Sequence, residues 1–349
     1  MAANLENPLY IPQTGEFYSK TGAGVMYKKT DHSASFVAKG WDGQEEFPVW
    51  RLSEDAGYGI TDRLSVNAKL GYTNDEDIQR RGLHNGRIGL LYRVFDGVSS
   101  PFVWDIYGDL HLGGLSQMEA TLIPVDGPSL EFNYANYTNG RWGFFAGTRV
   151  GKTWDKFTGS VFGEIHQTFG DNNNVITISN GAKTLIGGMV AQQLKAANPL
   201  LPDATVNALG AAYADGLPAD FNVNLKSTTE FAAGINGFYQ FNDNWSLGTG
   251  FTARHRATNT IEKVNLTDTS TLPDPATVAA ITAGLADGFV GSMYDGIDEY
   301  VLSLAVSHKL TNTVQVSLYG EYTFDDSGKG SQNGTDVKAE GGVRVNVAF

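Results

Sequence analysis

The sequence predicts an all-β fold: one antiparallel, up-and-down β-barrel that crosses a membrane with its strands. Three observations predict it. Apolar and polar residues alternate strictly in segments of about ten residues, the period of a strand with two different faces. Tight turns alternate with long polar links along the chain. The composition is also poor in charge and rich in glycine and aromatics, as expected where one strand face meets lipid and the other water.

Composition comes first because it bounds the rest. Of 349 residues, 42 are Gly, 15 Tyr and 19 Phe, and charged residues make up 18%, against roughly 25% in soluble domains. With no Cys, a disulfide framework and thiolate metal or redox chemistry are excluded. No run approaches 18 continuous apolar residues, so no helix spans the membrane. The start, Met1-Ala2-Ala3-Asn4-Leu5-Glu6, lacks the basic and then apolar regions of a secretory leader, and reads as a mature start with Met1 added. The alternative is a cytosolic protein with a native Met1.

Twelve strands are expected, at 16–28, 47–60, 63–73, 84–95, 102–112, 131–154, 157–169, 227–241, 245–256, 299–310, 313–324 and 337–349. The alternation is clearest in Leu64, Val66, Ala68, Leu70 and Tyr72, which share one face, and in Trp245, Leu247, Thr249, Phe251 and Ala253. Thr61-Asp62, Asp96 to Ser100, Asp155-Lys156, Asn242-Asp243-Asn244 and Thr311-Asn312 are tight turns. Short turns on one side and long loops on the other suit a barrel whose short turns are periplasmic. The sixth strand is too long for the usual 9–11 residues. Met118 to Tyr137 could therefore hide a further hairpin, and fourteen strands is the alternative. The whole chain, 1–349, reads as one barrel domain with loop insertions at 170–226 and 257–297.

Aromatic residues gather near strand ends: Tyr18, Trp50, Tyr58, Tyr72, Tyr92, Trp104, Trp142, Trp154, Trp245, Tyr300 and Tyr322. Amphipathic rings settle where headgroups meet acyl chains. In a soluble β-sandwich they would fall at core positions instead.

The two insertions carry one repeated pattern. Leu201-Pro202-Asp203 opens a stripe of Val206, Leu209, Tyr213 and Leu217, and Leu272-Pro273-Asp274 one of Val278, Ile281, Leu285 and Phe289. Both are helical stripes, with Asp203 and Asp274 placed to suit a helix N-terminus. Leu185 to Leu194 is a third helical candidate. The helices either form a lid on the barrel rim or fold inward and narrow the lumen.

The polar strand faces assign an inner wall. Its basic residues are Lys20, Lys28, Arg51, Lys69, Arg87, Arg93, Arg141, Arg149, Arg254, Arg256, Lys309, Lys338 and Arg344; its acidic ones are Asp55, Asp105, Asp109, Glu164, Glu230, Glu321 and Glu340. That leaves the wall at about +6 in a chain of −13 overall, and a lumen expected to lean toward anions. Opposite charges could equally pair and fill the lumen. Acidic loops at Asp75-Glu76-Asp77, at Asp295 with Asp298-Glu299, and at Asp325-Asp326 could hold divalent cations that bridge lipopolysaccharide phosphates, or simply be solvated.

No catalytic constellation stands out. His111 and His166 share the inner face with Asp109 and Glu164 two residues away, a pairing that can support general-base chemistry. No serine lies in a nucleophile motif, however, and an enzyme is not expected. Gly86 to Gly89 and Gly147 to Gly151 are strand glycines without a following helix, not phosphate loops. An acidic chain with no basic stripe is not expected to bind nucleic acid, and no cofactor is expected.

With the strands and the last residue in place, the chain resembles the bacterial outer-membrane β-barrel superfamily, the porin-like channels in particular. The likeness rests on pattern over the whole chain. Its most specific part is the terminal strand ending in Phe349, similar to the signal read by the barrel-assembly machinery, although Arg344 stands where such strands usually carry Gly. The resemblance implies an outer-membrane location, contact with lipid and lipopolysaccharide, and a possible homo-oligomer. The function expected is a passive channel for small polar, anionic solutes. The alternative is a closed structural or adhesive barrel acting through its extracellular loops.

Overall fold

The computed structural model describes residues 4–29, 49–75, 80–113, 118–119, 130–133, 141–178, 180–218, 220–257, 259–266, 275–294, 297–325 and 337–349. Twelve antiparallel strands close into a barrel: β1 (Phe17–Lys29), β2 (Val49–Thr61), β3 (Leu64–Asp75), β4 (Arg80–Asp96), β5 (Val103–His111), β6 (Gly143–Trp154), β7 (Phe157–Thr168), β8 (Thr228–Gln240), β9 (Trp245–Arg256), β10 (Ile297–Lys309), β11 (Val314–Asp325) and β12 (Val337–Ala348). Each strand pairs with its sequence neighbours. The cylinder closes where Tyr18 of β1 opposes Ala348 of β12. Two backbone hydrogen bonds between Phe17 and Phe349, at 2.7 and 2.9 Å, finish that seam, so the barrel has no free edge in the bilayer.

The barrel has twelve strands, not fourteen. The segment expected at 131–154 is two elements: Gly143–Trp154 joins the barrel, while Leu130–Asn133 pairs elsewhere. Met118–Glu119 makes only a short bridge to Arg81 and Gly82, so no extra hairpin enters the wall.

The tight turns owe their geometry to side chains that mimic backbone. Asp96 accepts from the amides of Val98 and Ser99, both at 2.9 Å. Asn242 does the same for Asn244 and Trp245, and Thr311 caps Val314.

Alternation sends one face outward along every strand. Leu318 is 63% exposed and Ile235 58%, part of a contiguous outward band of large apolar residues that suits lipid rather than water. Trp50, Tyr72, Trp142 and Tyr322 ring one end of this belt, and Tyr58, Tyr92, Trp154 and Trp245 the other; all are exposed. Tyr18, expected in the girdle, instead faces inward: it is 8% exposed and donates to Asp55 at 3.0 Å.

On the long-loop side the wall continues. Asp171–Ile178 extends β7, Asp220–Leu225 leads into β8, Asn259–Leu266 extends β9 and Gly291–Tyr294 leads into β10. With Leu130–Asn133 they form a second, five-stranded sheet that keeps the barrel's neighbour order. Three helices accompany it, α1 (Asn180–Ala197), α2 (Asp203–Asp215) and α3 (Pro275–Phe289). Phe221, Val223, Leu225, Ile261 and Val264 are nearly sealed and cluster with Leu217 and with Ile281 of α3. This outer cap holds the main apolar core among the described residues, because the barrel itself has none to build.

All three helices were legible in the sequence; the sheet was not. The buried stripe of α2 also differs from the expected one. It runs through Val206, Gly210 and Ala214, while Leu209 and Tyr213 stay 48% and 38% exposed. The reason is close backbone approach: a Cβ on Gly187 of α1 would stand 2.7 Å from the carbonyl of Gly210. Asp203 meets Lys195 at 2.7 Å and makes no cap. Asp274 and the side chains of Leu285 and Phe289 lie outside the described residues.

Candidate functional site

The lumen is crossed by residues that the alternation pattern never addressed. Asn4 to Gln13 precedes β1 and carries Pro8 and Pro12, which deny it a strand ladder or a helix. Asn4 and Asn7 turn it instead, accepting from the amides of Glu6 at 3.2 Å and Leu9 at 2.9 Å. The result is a strap across the short-turn mouth of the barrel.

Its anchors go most of the way round the wall. Asn4 donates to Ser246 of β9 at 3.1 Å and accepts from Gln315 of β11 at 3.1 Å. Glu6 accepts from Ser317, Asn346 and Arg344 at 3.0, 3.0 and 3.2 Å. On the far side, Arg93 donates to the Leu9 carbonyl at 2.6 Å and Arg149 to that of Tyr10 at 3.1 Å. Leu5, Leu9 and Ile11 are no more than 9% exposed, and Tyr10 meets Tyr18 edge to face at 5.9 Å.

The strap leaves past Gly59, where a Cβ would sit 1.8 Å from the Gln13 carbonyl oxygen. Only glycine permits that crossing. Beyond it, Thr14 donates to Asp62 from both its amide (3.0 Å) and its hydroxyl (2.7 Å). These bonds hold the Asp62 carboxyl below its ordinary pKa.

Above the strap lies a cavity of about 460 Å³. Lys20, Lys69, Arg87, Arg149 and Arg344 line it from the wall, together with Asp55, Asp109, Glu164 and Glu321; Glu6 faces it from the strap. Several wall charges are paired. Asp105, fully buried, binds Arg93 at 2.8 Å and Arg149 at 2.7 Å. Arg51 meets Glu340 at 2.8 Å, Arg254 meets Glu299 at 3.7 Å and Lys69 meets Asp55 at 3.8 Å.

The strand registers put Lys20, Arg51, Lys69, Arg87, Arg93, Asp105, Asp109, Arg149, Glu164, Glu230, Arg254, Glu321, Glu340 and Arg344 on the inward face. Arg256 occupies an inward register position, but its side chain lies outside the described residues, as do those of Lys28 and Lys338. Arg141 sits at the rim and donates to the Lys226 carbonyl at 2.9 Å.

Two inward carboxylates escaped the sequence reading. Glu6 arrives with the strap. Glu299, expected in an acidic loop, lies in β10 opposite Arg254 and is 4% exposed. Glu299 opens the strand expected at 299–310, and strand period from Ser303 and Ser307 turns it inward once it is not grouped with the acidic loop; a proline-broken apolar stretch ahead of β1 is the one signal of the strap. Asp298 pairs with His255 at 2.7 Å on the outer face. The side chains of Asp75, Asp295 and Asp325 lie outside the described residues, as do Glu76, Asp77 and Asp326. Among the described residues no cluster offers metal-ligand geometry.

Toward the long-loop end the inner wall carries a stack of rings. His166 lies 3.9 Å from the ring of Phe145, nearly parallel, and the Arg87 guanidinium sits 4.4 Å from the same ring. His111 stacks on His166 at 5.9 Å. His166 approaches Glu230 at 3.4 Å rather than Glu164, which accepts from Tyr107 at 2.7 Å. The Thr168 hydroxyl lies 3.3 Å from Nε2 of His166.

No protein-family model matches the sequence, and no curated protein matches it. Solved structures do. An outer-membrane channel from Pseudomonas putida F1 is similar over 100% of both chains, with a TM-score of 0.54 at 10% identity. The toluene transporter TodX from Pseudomonas putida is similar over 97% of this chain and 89% of its own, with a TM-score of 0.43 at 9% identity. At such identities the likeness is one of fold. Closed cylinder, apolar belt and paired girdles agree with the fold of that Pseudomonas putida F1 channel: this is a membrane-spanning β-barrel of twelve antiparallel strands.

Proposed function

We propose that this barrel is a passive channel for small polar solutes, held shut by its own N-terminal strap. The observation that supports this reading most is the charge-lined cavity of about 460 Å³ within the wall, above a strap that is fixed mainly by side-chain hydrogen bonds. A barrel built only as an anchor has no need of such a chamber, since paired charges can fill a lumen completely. A strap without a strand ladder can release at far lower cost than a strand.

The anion preference expected from wall charges is weaker on this reading. Glu6 and Glu299 remove about a third of the cationic excess, and Arg344, Arg254, Arg93 and Arg149 are engaged by carboxylates. A modest preference is left to Lys20 and Arg87. The barrel-assembly machinery acting through the terminal strand, and lipopolysaccharide at the acidic rim, are proposed partners.

Planar-bilayer recording tests the proposal. The wild-type chain should be mostly silent with brief openings. A chain lacking residues 1–12 should conduct steadily with a small reversal potential in a salt gradient. Silence from both, with the barrel folded, would overturn it. The second reading, a closed barrel acting through its surface, is favoured by one observation: the described apolar core lies in the extracellular cap, not the membrane.

A further inference from the structure

The outward face of the barrel carries one carboxylate where lipid should be. Glu54 lies midway along β2, four residues from Trp50 in one girdle and four from Tyr58 in the other, all three on the same face. That places it near the bilayer midplane. Other described charges on this face sit near the ends: Lys152 reaches toward Trp154, and His255 pairs with Asp298. An ionisable group at mid-membrane is costly and rarely without a role.

Glu54 is not alone. On the same face of β1, Ser19 donates to one carboxylate oxygen and Thr21 to the other, both at 2.6 Å. A carboxylate has about four acceptor sites, so the bonds from Ser19 and Thr21 leave acceptor capacity turned toward a medium without donors. Around this triad Ala23, Ala56 and Ala68 alternate with Leu52 and with Leu70, which stands directly opposite Glu54 on β3. In lipid, where apolar burial gives little drive, membrane segments associate through small residues that allow close approach and polar groups that bond across the contact.

We propose that this patch is the contact surface of a two-fold dimer of the chain within the membrane. Headgroups do not reach the midplane, so the donors that Glu54 lacks must come from another spanning protein at the same depth. A two-fold axis along the membrane normal carries every residue to its own depth, so a second copy meets that condition automatically, and such isologous contacts are the commonest. One proton shared between the two carboxyls removes their repulsion and forms a strong O–H···O⁻ bond. Ala23, Ala56 and Ala68 leave hollows beside Leu52 and Leu70 that the same leucines of a second copy can fill.

The chain has no cysteine, which makes the test clean. Ala56→Cys, reconstituted in phospholipid vesicles and mildly oxidised, should form a disulfide-linked dimer. Ile235→Cys, on the distant face of β8, should not. Adding Glu54→Leu to Ala56→Cys should cut the cross-linked fraction at least tenfold, with heat-modifiable migration showing that the barrel is intact. Ala68→Cys serves if Ala56→Cys does not fold. Equal cross-linking from Ala56→Cys and Ile235→Cys, insensitivity to Glu54→Leu, or a wild-type chain that sediments as a monomer from mild detergent together with no cross-linking of folded Ala56→Cys or Ala68→Cys in vesicles would overturn the proposal. Recovery of a different membrane protein at the patch, with no self-contact, would overturn it too.

Discussion

Arg344 donates to Glu6 at 3.2 Å, joining the strap to the last strand across 338 positions of sequence. The pair sits at 24% and 10% side-chain exposure, where water screens it only in part. With Ser317 and Asn346 bonded to the same carboxylate, Glu6 is the strap's best-held point.

Glu6→Gln should loosen the strap without unfolding the barrel. A hydrogen bond to a charged group contributes about 1.5–3 kcal/mol, so losing the charge should raise open probability roughly 10- to 100-fold. Single-channel recording reads this directly, and an unchanged open probability would show that the strap is not the gate.

Gly59→Ala attacks the strap's exit by steric means alone. The new methyl would collide with the Gln13 carbonyl, so the strap or the β2 end must move. Steady leak is expected, measured by vesicle swelling in small sugars. Gly163→Ala, whose Cβ would meet nothing within 4 Å, should leave permeability as it was.

Asp105→Asn strands the guanidiniums of Arg93 and Arg149, both of which also hold strap carbonyls. Breaking a buried ion pair typically costs about 3–5 kcal/mol. Rim water reaching Arg149, 19% exposed, should pull the loss toward the lower end. A lowered urea midpoint, together with more frequent channel opening, is the expected outcome.

Protonation should act at the strap's exit. The Asp62 carboxyl is held below its usual value by Thr14, so its folded form favours the ionised state. Its contribution is therefore present above the ordinary aspartate range near pH 4 and fades as pH falls through the lower folded value. Strap docking should persist at pH 5 and weaken only well below pH 4. Thr14→Val should move that loss upward, followed by the Asp62 side-chain chemical shift.

Phe221→Ala tests whether cap and barrel are separable. The side chain is fully buried, and such truncations cost about 3–5 kcal/mol. Protease should then cut the loops at 170–226 and 257–297 in intact cells while the barrel core stays resistant.

The sequence by itself determined the cylinder. Leu64 to Tyr72 and Trp245 to Arg256 alternate so strictly because each side chain must choose lipid or lumen, and a period of two leaves no other wall. It also showed the three cap helices, since apolar spacing along one stretch of chain is a local property. Only the tertiary structure decided what the lumen contains. Glu6 reaches Arg344, Asp105 joins Arg93 to Arg149, and Gly59 admits Gln13 through contacts between distant segments with no shared period. The outer sheet was hidden for a related reason: its short strands bury one face against helices rather than lipid. Glu54 breaks the alternation beside Asp55, and only the β1–β2 register brings its partners Ser19 and Thr21 alongside.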